Sequence, residues 1–336
     1  TLPAPSVYRQ APILNQVQHK FWDPVLIILW IPAQTFMLNL IQCWNDKMVG
    51  YTKVMKRILG VLGILILAVG LCFFLVPYFS GALEVERIAF FVGSWPVYWY
   101  GIVMGLAMVA GLTLILKLSD IKNIISAENL WELMLYILIG GIIGARLLFV
   151  VLKWSEYAGS LTAIFNIHEG GMSIHGAVLG GLMALLLYAR RRRGYFWQYA
   201  DLLVPGLGLG QAIGRFGNFF NQEAFGGPTN LPWKMFVAPV ARPVGFEGEV
   251  FFHPTFLYES IGLALILTLL IFVYQKSRFV GQTALIYLIS YSVLRFVVEY
   301  FRVDADKWGW LTVAQWASIG ILLVALWLYQ ARLKRS

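Results

Sequence analysis

Long apolar runs separated by short polar breaks dominate this chain, at 25–44, 58–78, 96–116, 128–152, 174–189, 199–213, 256–275, 281–299 and 312–329. A helix of about 20 apolar residues crosses the ~30 Å hydrocarbon layer of a bilayer. Runs that are apolar on every side, rather than along one stripe, belong in lipid or in a large core. The pattern therefore predicts an all-α fold, a polytopic integral membrane helical bundle. The polar breaks set its orientation. Lys47, Lys53, Lys56 and Arg57, then Lys117 and Lys122, then Arg190 to Arg193, then Lys276 and Arg278, then Arg332, Lys334 and Arg335 fall in alternate breaks. Lys and Arg accumulate in cytoplasmic loops, so the C-terminus is expected in the cytoplasm. The N-terminus and residues 79–95, 153–173, 214–255 and 300–311 are then expected outside. The longest outer stretch, 214–255, is too rich in Gly and Pro to span, and predicts a small extracytoplasmic head over the bundle.

Composition narrows the class. Hydrophobic residues make up 59% of the 336 and charged residues 13%, far from a soluble domain. The net charge of +9 follows from cytoplasmic-loop lysines and arginines, so no nucleic-acid partner is expected. Cys43 and Cys72 lie in the N-terminal apolar runs without metal-ligand spacing, and read as neither nucleophile nor disulfide. Gly140, Gly141 and Gly144, Gly176 and Gly180, and Gly206, Gly210 and Gly214 recur at helix-packing intervals. They predict close helix crossings, because no strand precedes them as a nucleotide loop would require.

Four polar groups converge on the outer half in this topology. The first, His168-Glu169-Gly170-Gly171-Met172-Ser173-Ile174-His175-Gly176, leads into a helix. Its two histidines lack a metal-binding spacing, so no metal is expected. His175 stands where it takes a proton from a substrate or bonds between helices. The second, Gly214-Arg215-Phe216-Gly217-Asn218-Phe219-Phe220-Asn221-Gln222-Glu223-Ala224-Phe225-Gly226, places Arg215, Asn218 and Glu223 at the end of a span. Arg215 either snorkels to lipid phosphates or supplies a planar fork for a bound phosphate. The third, His253-Pro254-Thr255-Phe256-Leu257-Tyr258-Glu259, opens a helix at a Pro suited to its first turn. His253, Tyr258 and Glu259 face a cavity or bond to neighbouring loops. In the fourth, Tyr291, Arg295, Glu299 and Arg302 share one helix face. Arg295 is about 10 Å inside the outer end at ~1.5 Å per residue. It forms either a structural ion pair with Glu299 or a cation facing an anionic ligand. Arg146 is a further phosphate or interhelical contact, Asp201 a helix cap, and Tyr100 closes an interfacial aromatic belt with Trp95, Tyr98 and Trp99.

Two arginines, a histidine, carboxylates and tyrosines without a protein nucleophile favour a reaction between two bound substrates. One is anionic and membrane-resident. Breaking the glyceryl C–O bond of a phospholipid phosphodiester leaves a phosphate monoester, and its growing charge is what Arg215 and Arg295 would stabilise. The alternative is a lipid or anion transporter, which the one-sided placement of the polar residues disfavours.

The segment GRFGNFFNQEAFG resembles the signature of bacterial phosphatidylglycerol–prolipoprotein diacylglyceryl transferases. GGMSIHGAVLGG, HPTFLYE, the YxxxRxxxE helix at Tyr291, Arg295 and Glu299, and VYWYG at 97–101 are similar to its other blocks, in the same order. The resemblance covers roughly residues 83–330. It implies transfer of a diacylglyceryl group from phosphatidylglycerol to the lipobox cysteine thiol in the signal peptide of a preprolipoprotein, with glycerol phosphate released. It also implies a bacterial cytoplasmic membrane, with the site on the outer side, membrane lipids as surroundings and no cofactor. Arg215 and Arg295 would bind the lipid phosphate, and His175 would be base or proton relay. Asn218, Glu223, Gly226 and Glu299 would shape the site, and Tyr100 and Tyr291 would line it. The substrate thiol supplies the missing nucleophile, and with a pKa near 8.5 it needs a base or a positive field to ionise. Residues 1–82, carrying two extra spans, fall outside the resemblance, and 83–336 would form the transferase membrane domain.

Overall fold

The computed structural model describes residues 75–336 apart from 160, 167–169, 193, 304 and 336. The runs expected at 25–44 and, up to residue 74, at 58–78 lie outside these residues, as does His168. Among the described residues there are seven long helices: α1 Trp99–Lys122, α2 Ala127–Leu152, α3 Ile174–Arg191, α4 Phe196–Asn221, α5 Thr255–Lys276, α6 Gln282–Glu299 and α7 Val313–Leu333. Of these, α1, α2, α5 and α7 are long and apolar enough to cross a membrane. Leu106, Val109, Leu138, Leu265, Leu323 and Trp327 are exposed on their outer faces. A folded chain leaves so large an apolar belt uncovered only where lipid covers it. The fold is a helical membrane bundle.

Glycines set the helix crossings. A Cβ added at Gly176 or Gly180 would run into the carbonyl oxygens of Gly144 and Gly140, so α3 lies backbone to backbone on α2. Gly111 and Gly206 do the same for α1 and α4, where an added Cβ would come within 2.8 Å and 2.7 Å of the opposite carbonyl oxygen. Removing side chains here lets dispersion act between main chains, the main attraction available where lipid is as apolar as the helices.

The end of the bundle where α1 turns into α2 and α3 into α4 is closed by a core that includes Leu118, Leu133, Tyr188, Leu202 and Tyr274. The two tyrosine hydroxyls are not left dry. Tyr188 donates to the Asn129 carbonyl at 2.8 Å and Tyr274 to that of Leu118 at 3.2 Å. Asp201 does not cap its own helix, because α4 begins five residues earlier at Phe196. It reaches across and accepts from the backbone N–H of Gly281 at 2.6 Å and of Ala284 at 2.8 Å. These are among the unsatisfied donors at the start of α6.

Two differences from the sequence reading matter for the site. First, α4 does not stop at 213 but runs to Asn221, ending at Gln222 in the left-handed region with φ 50°. The Gly-rich, polar last turns lack an apolar signature, yet they keep their backbone bonds because α1, α5 and α6 surround them. Arg215 and Asn218 therefore project from a rigid helix, and the connection expected from 214 begins at Gln222. Second, the polar breaks hold short antiparallel ribbons: β1 Ile88–Val92 with β2 Trp95–Tyr98, β3 Met235–Phe236 with β4 Phe251–Phe252, and β5 Lys307–Trp308 with β6 Leu311–Thr312. Around β3 and β4, residues 222–254 bury Phe225, Met235, Val237 and Phe252 as a miniature core.

Candidate active site

Three helices deliver one ionic cluster. Arg215 comes from the last turns of α4, Glu259 from the first turns of α5, and Tyr291, Arg295 and Glu299 from a single stripe of α6. Glu259 is 2% exposed and sits between both arginines. Its Oε1 lies 2.5 Å from Arg215 Nη2 and accepts the Tyr291 hydroxyl at 3.1 Å. Its Oε2 lies 3.6 Å from Arg295 Nη1. Arg295 Nη2 is in turn 2.6 Å from Glu299 Oε2, across one helical turn. Behind them Tyr287 stacks on Tyr291 at 5.7 Å between ring centres and donates to Gln211 Oε1 at 2.7 Å.

The cluster is neutral, two guanidiniums against two carboxylates, as burial near lipid requires. It is not saturated. The Arg295–Glu299 contact has ion-pair distance without hydrogen-bond alignment, and Arg295 Nη1 and Glu299 Oε2 are buried without an aligned partner among the described residues. The Arg215 and Arg295 side chains keep 23% and 20% of their surface, whereas the carboxylates keep 3% and 4%. The cations are thus the accessible half of the cluster. An anion would meet two partly bare planar forks whose resting counter-ion is Glu259, a role the sequence reading did not single out.

The remaining predicted residues fall into separate groups. Asn218 and Asn221 both donate to Glu223 Oε1, at 3.1 Å and 3.2 Å. Asn218 and Glu223 thus support each other, and no hydrogen bond ties them to Arg215 among the described residues. Tyr100, in the first turn of α1, packs its ring on Gly217, where a Cβ would sit 2.9 Å away. It lines a cavity of about 850 Å³ together with Glu223, Asn221, Gln222 and Arg87. Arg87 had no place in the sequence reading, and Gln222 stood in the second polar group without a role. Gln222 accepts from Ala238 N at 2.9 Å and pins the segment around β3 to the end of α4. Only its left-handed position could have flagged it.

Gly226 is a crossing point. Its N–H donates to the His253 carbonyl at 2.8 Å, and an added Cβ would lie 2.5 Å from the Phe301 oxygen and 2.6 Å from His253 Cβ. There the α4 exit, the α5 entry and the α6 exit meet as bare backbone. His253 Nδ1 lies 3.0 Å from the Tyr258 hydroxyl, which receives the Trp233 indole N–H at 2.7 Å. The indole can only donate, so Tyr258 accepts there, and its contact with the neutral His253 ring closes through either the phenol or the imidazole proton. Desolvation accordingly holds His253 below the usual histidine range. His175 is exposed in the first turn of α3. No contact among the described residues joins it to the arginine cluster. Arg146, read as a phosphate or interhelical contact, is 7% exposed, and all five of its N–H groups are engaged by backbone carbonyls. It has no donor left for a phosphate. Among the described residues no three His, Cys, Asp or Glu side chains come together as a metal site.

The profile of the prolipoprotein diacylglyceryl transferase family matches residues 87–331, which include every element of this cluster. The chain belongs to that family. It is 43% identical over 254 residues to the phosphatidylglycerol–prolipoprotein diacylglyceryl transferase of Acaryochloris marina, covering 74% of this chain and 91% of that protein. The protein of the same name from Synechococcus elongatus is 42% identical over 255 residues, 73% of this chain and 87% of its own length. That from Fervidobacterium nodosum is 39% identical over 280 residues, 82% and 95% of the two chains. Membership makes the chain a transferase of lipoprotein biosynthesis.

Proposed function

We propose that this protein transfers the diacylglyceryl group of phosphatidylglycerol to the lipobox cysteine of a preprolipoprotein. The observation that carries this reading is the Arg215–Glu259–Arg295 bridge, within a chain of the diacylglyceryl transferase family. The lipid phosphodiester displaces Glu259 as partner of the two guanidiniums, exchanging one anion for another without leaving either cation bare. The cysteine sulfur then attacks the glyceryl carbon. A C–S bond forms as the C–O bond to phosphate breaks, and the electron pair leaves with glycerol phosphate. The phosphate gains negative charge during this step, so the arginines bind the transition state more tightly than the lipid. Glu299 orients Arg295, and the Tyr291 hydroxyl, held by Glu259, orders the edge of the cluster.

The thiol proton passes to His175 as base or relay. Tyr100 and Glu223 border the outer cavity, Asn218 is bonded to Glu223, and a substrate would approach Arg215 from that side. Gly226, His253 and Tyr258 hold its roof. The basic-loop parity supports a site on the outer face of the bacterial cytoplasmic membrane with the C-terminus inside. Purified protein mixed with phosphatidylglycerol and a lipobox peptide should yield a peptide heavier by one diacylglyceryl group. An unmodified peptide under conditions in which a relative works would sink the reading.

A further inference from the structure

Arg146 is the most completely engaged polar side chain outside the cluster. It rises from α2 and, 7% exposed, donates Nε to the Ile164 carbonyl at 2.8 Å and Nη2 to those of Ala163 at 2.7 Å and Asn166 at 2.9 Å. Its Nη1 donates to the carbonyls of Gly170 at 2.7 Å and Gly171 at 2.8 Å. The Tyr157 ring lies 5.1 Å from its guanidinium carbon. No carboxylate pairs with it among the described residues. Its charge rests on five carbonyl dipoles and a ring face.

Those carbonyls belong to both sides of the connection between α2 and α3. Gly170 and Gly171 are both left-handed, with φ 88° and 79°, and so turn two successive oxygens toward one nitrogen. A Cβ on Gly171 would lie 2.5 Å from Nη1 and 2.8 Å from Phe149 Cε1, so the chain can pass here only as glycine. Two residues later the Ser173 N–H donates to the carbonyl of Ala145, next to Arg146, at 3.0 Å. The Ser173 hydroxyl caps α3 by accepting from Gly176 N at 3.4 Å. His175 sits in that capped turn. Its backbone is therefore referenced to α2 through two adjacent residues, Ala145 and Arg146, beside the Gly144–Gly176 crossing.

We propose that Arg146 is a positioning residue, which by gathering the Ala163, Ile164, Asn166, Gly170 and Gly171 carbonyls fixes the start of α3 and hence the place of His175 in the transfer reaction. No other side chain presents five donors in one plane, so lysine should not replace it. The proposal rests on the transferase reading for the use made of His175, but its structural half does not.

The test is Arg146→Lys in the full-length protein, with transfer kinetics and amide hydrogen exchange measured side by side. A displaced catalytic group lowers the chemical step, so kcat should fall about 10–100-fold while KM for phosphatidylglycerol stays within about twofold. Exchange at the Ser173, Gly176 and Ala177 amides should accelerate at least about tenfold, with the α6 amides unchanged. A raised KM with unaltered exchange would mean that Arg146 grips the lipid, and would overturn the proposal. So would wild-type kcat in Arg146→Lys. Should that variant fail to fold, Gly171→Ala keeps the guanidinium but sets a methyl against its Nη1, where an added Cβ would lie 2.5 Å away. It should show the same loss confined to kcat, and wild-type kcat there would equally overturn the idea. If the wild type transfers nothing, the transferase reading fails, whereas the exchange comparison still decides whether Arg146 sets α3.

Discussion

Glu259 is the residue on which the cluster turns. It is nearly fully buried between two arginines that each keep about a fifth of their surface. Removing one partner from a buried ionic group leaves the others uncompensated, at about 3–5 kcal/mol when all are fully buried. With the arginines partly open, Glu259→Gln should lose about 3 kcal/mol, at the low end of that range. Its thermal midpoint should drop accordingly, and phosphatidylglycerol vesicles should restore more of it than they add to the wild type, since phosphate replaces the missing charge. Equal midpoints for variant and wild type would contradict this. The sequence announced the arginines because a guanidinium inside a span demands explanation. It could not announce that Glu259 binds both, because that contact joins three helices through side-chain direction, which residue spacing does not encode.

His253 makes a prediction of opposite electrostatic kind. Its folded pKa is lowered by desolvation, so the unfolded chain takes up its proton first. The contribution of the neutral His253–Tyr258 contact is complete above an unfolded pKa of about 6.5. It is lost as pH falls from there through the lowered folded value. Thermal midpoints measured from pH 7.5 down to 5 should fall more steeply for the wild type than for His253→Gln. Parallel curves would remove this role.

Among the elements, the α2–α3 pair shows how far a pattern can be trusted. The spacing of Gly140, Gly144, Gly176 and Gly180 foretold a close crossing, and the two main chains do meet at those residues. Gly180→Leu must push α3 away from α2 or fail to fold. Either way the amides of Ser173 and Gly176 should lose exchange protection, and transfer should fall at least about tenfold through misplacement of His175. Unchanged protection would show that the glycine contact is dispensable. The end of α4 and the cap of α6 were illegible for a common reason. Helix termination and remote capping depend on what packs around a segment. Gly-rich turns near Arg215 persist because three helices enclose them, and Asp201 serves a helix 80 residues away in the chain. The ribbons were hidden by their brevity, two residues per strand in β3 to β6.

At the scale of the whole molecule, the bundle was legible because bilayer thickness imposes one run length on every span and excludes irregular backbone from lipid. The site was legible in part for the same reason, since polar residues stand out against that background. What was not legible was their grouping. The structure gathers Arg215, Glu259, Tyr291, Arg295 and Glu299. It puts Asn218 with Glu223 and His253 with Tyr258, and turns Arg146 to the α2–α3 connection. A flat list of polar candidates thus becomes a neutral ionic centre with separate polar groups around it. In such an arrangement the two cations are most valuable when charge builds on a leaving phosphate.

Transfer of the diacylglyceryl group to a lipobox peptide, followed by mass under single-turnover conditions for the wild type, Arg215→Ala and Arg295→Ala, tests that claim most directly. The wild type should produce the adduct. Each variant should remain folded and lose at least about a hundredfold in rate, as removal of one stabilising donor does at other anionic transition states. Near-normal turnover in either variant would contradict the assignment of its arginine to the phosphate.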